Sequence, residues 1–204
     1  TIDLGMPVVL FDRVFNDLKC DKVIVDDKGG AEAATTFLIE KGRKNILLLT
    51  TQDYISVGNL RTQGYLEALK KQHIIADNNL IIKVIDNKNS EQEMFDLEWQ
   101  IENLLDQEIH FDGIFAVNEI YAASAMKVMR KRKLNIPKDI ALICFTDGVI
   151  SRYSFPSLTT VSQHAEEIGE SSAELLINKL KDQYPVEENF TKIIKCSIIE
   201  REST

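Results

Sequence analysis

The chain has 204 residues, a formal net charge of −8 and an isoelectric point near 5.0, the wrong sign for a surface that grips nucleic acid by its phosphates. Apolar residues make up 44% and charged residues 27%, ordinary for a globular protein with one or two hydrophobic cores. No apolar run approaches the roughly 20 residues that cross a bilayer.

PVVLFDR near the start reads as a lone buried strand ending in a charged pair, and its surroundings lack the pattern of a signal peptide. A repeating grammar follows. Val23-Ile24-Val25 is a short strand, and a helix is predicted from Gly30 to Lys41 with Ala31, Ala34 and Leu38 on one face and Gly42 as its stop. NILLLT (45–50) is a continuous apolar strand, 59–72 a helix, and LIIKVID (80–86) the next strand. The clearest helix spans 90–107, with Met94, Leu97, Ile101, Leu104 and Leu105 at three- and four-residue steps, and Trp99 is assigned to packing. Gly113 to Val117, a helix from Glu119 to Lys133 and Ile140 to Phe145 complete the alternation, with Asn135-Ile136-Pro137 as a turn. The basic run Arg130-Lys131-Arg132-Lys133 closes its helix and complements the helix dipole. Beyond it come SLTTVS (157–162), an amphipathic helix from 165 to 181 and one strand-like run from Lys192 to Ile199.

Uninterrupted apolar strands alternating with helices define a parallel sheet covered on both faces, a doubly wound α/β fold. Ligands of such sheets bind outside the carboxyl ends of the strands. The polar tips there are Asp26-Asp27, Thr50-Thr51, Asp86-Asn87, Asn118-Glu119 and Thr146-Asp147, all expected on one edge. Asp26, Thr51 and Asp86 are read as helix caps, Asn118 and Asp147 as ligand contacts. Segments lying outside the repeat suggest two lobes joined by several crossings.

Several chemistries are unsupported. No phosphate-cradling glycine motif follows a strand, and Gly29-Gly30 reads as a helix start. His73, His110 and His164 are too scattered for a metal centre, and no serine sits in a nucleophile elbow. We expect no cofactor and no enzyme activity. Cys20, Cys144 and Cys196 are odd in number and unpaired in spacing, which suggests reduced thiols in a cytoplasmic protein, with Cys144 in the core.

Six stretches resemble the effector-binding core of the LacI/GalR family of bacterial transcription repressors. They are PVVLFDR (7–13), AEAATTFLIEKGRKNILLL (31–49), RTQGYLEALKK (61–71), DGIFAVNEIYAASAMKVM (112–129), FPSLTTVSQ (155–163) and IEREST (199–204). The resemblance implies a periplasmic-binding-protein-like fold of two α/β lobes holding a small effector, commonly a sugar. It implies a homodimer, assembled along the helix from Glu119 and near Tyr153, where Ala122, Ala123, Met126 and Met129 widen the apolar arc. Operator DNA would be read only by a helix-turn-helix domain that this sequence lacks, and no membrane is involved. The first lobe is expected to be incomplete here, with 1–25 and 159–186 in it and 26–158 and 187–204 in the second lobe.

Carried over motif by motif, the resemblance assigns ligand contact to Asp12, Arg61, Asn118 and Gln163. Where the family usually has an aspartate that grips sugar hydroxyls, this chain has Thr146, so either Asp147 substitutes or a hydroxyl holds the effector. Carboxylate, guanidinium and amide suit paired sugar hydroxyls. All are expected to converge between the lobes, and loss of the Arg61 side chain is expected to weaken binding with little loss of stability. The alternative reading is a periplasmic sugar-binding protein of a transport system.

Overall fold

The computed structural model describes residues 6–15, 17–85, 89–181 and 189–204; the sequence assignments at Asp86 and Asn87 lie outside them. The chain divides into two units, one formed by Thr1–Asp26 and Gln163–Cys196, the other by Asp27–Ser162 and Ser197–Thr204.

The smaller unit holds a three-stranded parallel sheet, in which β2 (Asp21–Val25) lies between β1 (Val9–Phe11) and β8 (Thr191–Ile194). Alternation along β2 puts Val23 and Val25 on one face, where they meet Ile194 and Ile168 of helix α6 (Ala165–Leu180). Asp21 and Lys179 form an ion pair of 3.0 Å buried in this unit.

The larger unit is built on a six-stranded sheet of order β4-β3-β5-β6-β7-β9. Its strands are β3 (Ile46–Thr51), β4 (Ile81–Val84), β5 (Gly113–Ala116), β6 (Ala141–Phe145), β7 (Thr159–Ser162) and β9 (Ser197–Ile199). All pairings are parallel except that of β7 with β9. The intervening helices are α1 (Asp27–Glu40), α2 (Ser56–Lys71), α3 (Ser90–Asp106), α4 (Glu119–Lys131) and the short α5 (Val149–Tyr153). β5 and β6 are buried along their whole length, as continuous apolar runs covered on both faces must be. From β3 the chain moves outward to β4 and then returns to the other side of β3 as β5, so the strand order reverses there. Such a reversal opens a crevice at the carboxyl edge.

Several expectations are corrected. PVVLFDR is not a lone buried strand: β1 pairs with β2, and Phe11 is 60% exposed. Val23–Val25 belongs to the small sheet, within the first-lobe span 1–25 but outside the strand–helix repeat it is expected to open, because an apolar triplet carries no signal of which sheet it joins. The run from Lys192 to Ile199 is two strands, β8 parallel to β2 and β9 antiparallel to β7. The unit boundaries therefore fall at Ser162/Gln163 and Cys196/Ser197, not near 159 and 187. Thr51 ends β3 without capping α2, whose N-cap Ile55 makes no side-chain bond. Trp99 is 60% exposed, and Ala122 and Met129 are core residues rather than surface ones.

Four helices end in the same way. After α1, Gly42 takes φ +86° while the Arg43 amide bonds back to the Leu38 carbonyl at 3.0 Å. The same left-handed stop recurs at His73 after α2, Glu108 after α3 and Lys133 after α4, each φ between +57° and +58°. The amides of Ile74, Ile109 and Leu134 close the corresponding long bonds. A side chain in this conformation costs about 1 kcal/mol that glycine avoids. Glu108→Gly is therefore expected to stabilise the protein by about 1 kcal/mol, read as a raised urea midpoint at constant slope. An unchanged or lowered midpoint would refute that account of the helix end.

Candidate ligand site at the carboxyl edge

The R-x-x-G-Y word of α2 has a physical meaning. A Cβ on Gly64 would lie 2.2 Å from the Lys28 carbonyl oxygen, so only glycine lets α2 approach the start of α1 this closely. One residue on, Tyr65 is buried and its hydroxyl donates to the Ile46 carbonyl at 2.8 Å, fastening α2 to β3. Burial, aided by Asp77, pushes the Tyr65 hydroxyl well above its ordinary range. One turn before Gly64, Arg61 is thereby carried to the carboxyl edge. It is 6% exposed. Its Nε and Nη2 both contact Asp27 Oδ1, at 2.8 and 2.7 Å, and its Nη1 donates to the Val117 carbonyl at 2.5 Å. Its guanidinium carbon lies 3.8 Å from the centre of the Phe145 ring.

Arg61 thus touches the residue after β5 and the last residue of β6, which places it beside Asn118 and Thr146 in sequence. Asn118, half-buried, is the N-cap of α4, and its side-chain oxygen accepts from the Tyr121 amide at 2.8 Å. That bond leaves the side-chain amide as the donor end of the residue. Glu119 turns the other way and caps α5, accepting from the Ser151 amide at 3.1 Å and its hydroxyl at 3.0 Å. Thr146 has φ +76°, a conformation rare for a β-branched residue. Its amide is tied to the Val161 carbonyl at 3.0 Å and its carbonyl to Ser151 Oγ at 3.2 Å.

Asp147 faces inward along the edge. Its Oδ1 accepts from Arg201 at 2.5 Å and from Thr160 Oγ1 at 3.2 Å, and its Oδ2 pairs with Arg152 at 3.0 Å. Burial would raise this carboxyl, but the hydrogen bond and charge of Arg201, with Arg152 and Thr160, outweigh it and hold Asp147 below its ordinary 3.8. The SLTT and REST words are two halves of this lock. Arg201 also donates to the Leu158 carbonyl at 2.8 Å, and Glu202 accepts from the Ser157 amide at 2.8 Å. The fully buried Ser203 hydroxyl bridges the Leu142 carbonyl and the Thr159 amide, at 2.6 and 2.8 Å.

Among the sequence-assigned residues, the larger unit brings Arg61, Asn118, Thr146 and Asp147 to the ends of adjacent strands. Asp12 and Gln163 belong to the smaller unit. Asp12 follows β1 in the left-handed conformation at φ +59° and is exposed, while Gln163 is half-buried ahead of α6. Asp27, Phe145 and Arg201 were missed as contributors. Only the adjacent Asp26-Asp27 pair gave a hint, because nothing in a sequence pairs residue 27 with residue 61. Cys144 is fully buried, and burial pushes its thiol up to about 12, which leaves it inert as a nucleophile. Among the described residues no group of metal-ligating side chains forms, and no helix is long and apolar enough to cross a membrane.

An open, mostly parallel sheet that gathers a guanidinium, an amide and a hydroxyl beside its strand-order reversal defines an α/β domain with a candidate small-molecule site at its carboxyl edge. The periplasmic binding protein-like domain matches residues 35–204. The chain is 28% identical over 203 residues to the ribose operon repressor of Haemophilus influenzae, covering 98% of this chain and 58% of that protein. It is 32% identical over 197 residues to the HTH-type transcriptional regulator GalR of Escherichia coli, covering 96% and 55%. In structure it is similar to a LacI family transcriptional regulator from Enterococcus faecium with bound ribose, at a TM-score of 0.84 and 25% identity, covering 100% of this chain and 72% of that one. The chain belongs to the periplasmic binding protein-like family and groups there with the effector-binding cores of LacI/GalR regulators. It spans little more than half the length of these curated relatives.

The Asp147 lock yields a pH prediction. A carboxyl depressed in the folded state adds stability above its unfolded value and loses it as pH falls through the folded value. The stability gap between the wild type and Arg201→Met is therefore expected to be full at neutral pH, about 1.5–3 kcal/mol. It should narrow once the pH passes below 3.8. Urea titrations at a series of pH values read both, and a gap constant across that range would show that the pair contributes nothing.

Proposed function

We propose that this chain is the effector-sensing core of a bacterial transcriptional regulator and that its effector is a sugar. In the whole protein a helix-turn-helix domain would read operator DNA, in the cytoplasm, and effector binding would shift the balance between conformations that differ in operator affinity. One observation carries the reading. Arg61 is buried at the carboxyl edge, yet its bonds to Asp27 and Val117 account for only three of its five N–H groups. A desolvated cation with donors in reserve suits a ligand rich in hydroxyl oxygens. The names of the relatives support a sugar-responsive regulator over a transport protein.

Within this reading Arg61 donates to the effector, Asn118 donates through its amide, and Asp12 and Gln163 supply further contacts. At the end of β6 the engagement of both Asp147 oxygens favours Thr146 as the contact, with Asp147 holding the turn beneath it. We also propose a homodimer formed by the larger unit. Ile120, Val149, Tyr153 and Phe155, at the start of α4 and around α5, are 52%, 72%, 84% and 91% exposed, an apolar surface suited to a two-fold contact.

The expectation that Arg61 is dispensable for stability needs revision, since its removal strands Asp27 in a buried position at a cost of about 3–5 kcal/mol. Arg61→Lys, which keeps the charge and loses the fork, is the cleaner test. Thermal-shift titration of the full-length protein with D-ribose, cellobiose and D-xylulose is expected to reveal a binder, and Arg61→Lys should weaken it by about 10- to 150-fold. Unchanged affinity in that variant, or no response to any sugar, would sink the proposal. For the dimer, Tyr153→Asp with Phe155→Asp should convert a sedimenting dimer into monomer without loss of circular dichroism. A dimer that persists would place the interface elsewhere.

A further inference from the structure

We infer that Asp27 is a positioning residue of the effector site, one that acts on the ligand only through Arg61; this rests on the reading of Arg61 as an effector contact. An arginine side chain has several rotatable bonds, and a buried one without constraint would offer its donors in many directions. Here three contacts remove that freedom. The Phe145 ring fixes the plane of the guanidinium, at 3.8 Å from its carbon. The Val117 carbonyl takes one hydrogen of Nη1, which sets the depth of the group along the edge. Asp27 Oδ1 takes the hydrogen of Nε and one of Nη2, which fixes rotation within the plane. What remains is one N–H on each terminal nitrogen.

Of the three contacts, Asp27 is the one that sets which way those two donors point. Phe145 is indifferent to rotation about the normal to its ring, and a single carbonyl bond acts as a pivot. Only a carboxylate oxygen bridging Nε and Nη2 stops the turn. Asp27 is itself held in place. It is the first residue of α1, where the helix dipole favours a carboxylate, its side chain is 6% exposed, and α1 is set against α2 by the Gly64 contact. A solvent-exposed acid could pair with Arg61 equally well by charge but would not fix its rotation.

The test uses the full-length protein and compares the wild type with Asp27→Asn, Arg61→Lys and the double variant. The first measurement needs no ligand: nitrogen-15 spectra of the arginine side chains. In the wild type the Arg61 Nη hydrogens should appear as separate resonances because the group cannot rotate. In Asp27→Asn they should merge while the backbone amide signals of β3, β5 and β6 stay in place. Separate resonances surviving in Asp27→Asn would overturn the proposal. The second measurement is titration with D-ribose, cellobiose and D-xylulose in turn. Asp27→Asn should weaken whichever sugar binds by about 10-fold or more, and the double variant should be no weaker than Arg61→Lys alone. Wild-type affinity in Asp27→Asn, or fully additive losses, would overturn positioning in favour of a merely structural pair. If Arg61→Lys binds like the wild type while Asp27→Asn still frees the Arg61 resonances, the effector role of Arg61 fails and Asp27 remains only a clamp on that side chain.

Discussion

A buried arginine and a buried aspartate, once brought together, hold two helices to each other more by the penalty for separating them than by any net attraction. Desolvation consumes most of the Coulomb energy of such a pair, whereas parting the partners exposes an uncompensated charge to an apolar interior. In this protein the pair is Arg61 with Asp27, and the carboxyl edge of the larger sheet is organised around it. It binds α2 to the first turn of α1. Through Val117 and Phe145 it registers both helices against the ends of β5 and β6. The pair therefore specifies geometry, and the surrounding apolar strands supply the stability that lets it be buried.

The rest of the edge follows the same economy of charge. The carboxylate of Asp147 is neutralised from within by Arg201 and Arg152, and that of Glu119 is spent on the α5 terminus. Beside Arg61 stand an amide, at Asn118, and a strained threonine, Thr146. Strain of this kind persists only where the neighbours over-determine it. Val161 and Ser151 do so for Thr146, gripping its amide and carbonyl from opposite sides. The C-terminal residues are thus tied to the site indirectly. Arg201 secures Asp147, and Asp147 immediately follows the strained position.

Periodicity made the sheet legible in advance. NILLLT and the run ending at Phe145 are uninterrupted apolar segments, and their helices carry apolar residues at the expected steps. The same signal does not say which sheet a short strand joins: it runs Val23–Val25 into the main repeat, although the lobe span 1–25 sets that strand apart, and it reads 192–199 as one strand where there are two. The left-handed stop is advertised by residue type only at Gly42, since His73, Glu108 and Lys133 adopt it without a glycine, although the ends of their helices were legible from periodicity to within two residues. At the carboxyl edge, the motifs were enough to single out Arg61 and Asn118 as candidates, and the structure places both there. Asp27 was passed over as one of several polar tips, because its role depends on a partner 34 residues away and on a glycine that brings their helices together.

That glycine also shows why weak sequence words can carry a strong structural meaning in combination. In R-x-x-G-Y the arginine, glycine and tyrosine do three separate things: one meets Asp27, one permits contact between helices, and one hangs from the start of β3. Tyr65 anchors α2 at the amino end of β3 and Arg61 at the carboxyl ends of β5 and β6, so the helix is fixed against both edges of the sheet as well as against α1. A helix tethered at one end only could rock and carry Arg61 off the edge. SLTT and REST cooperate in a similar way across the sheet, where Ser203 joins β6 to β7 through one hydroxyl that both donates and accepts. In each case the residues of the word contact different elements, and the carboxyl edge inherits its rigidity from those contacts rather than from the loops that form it.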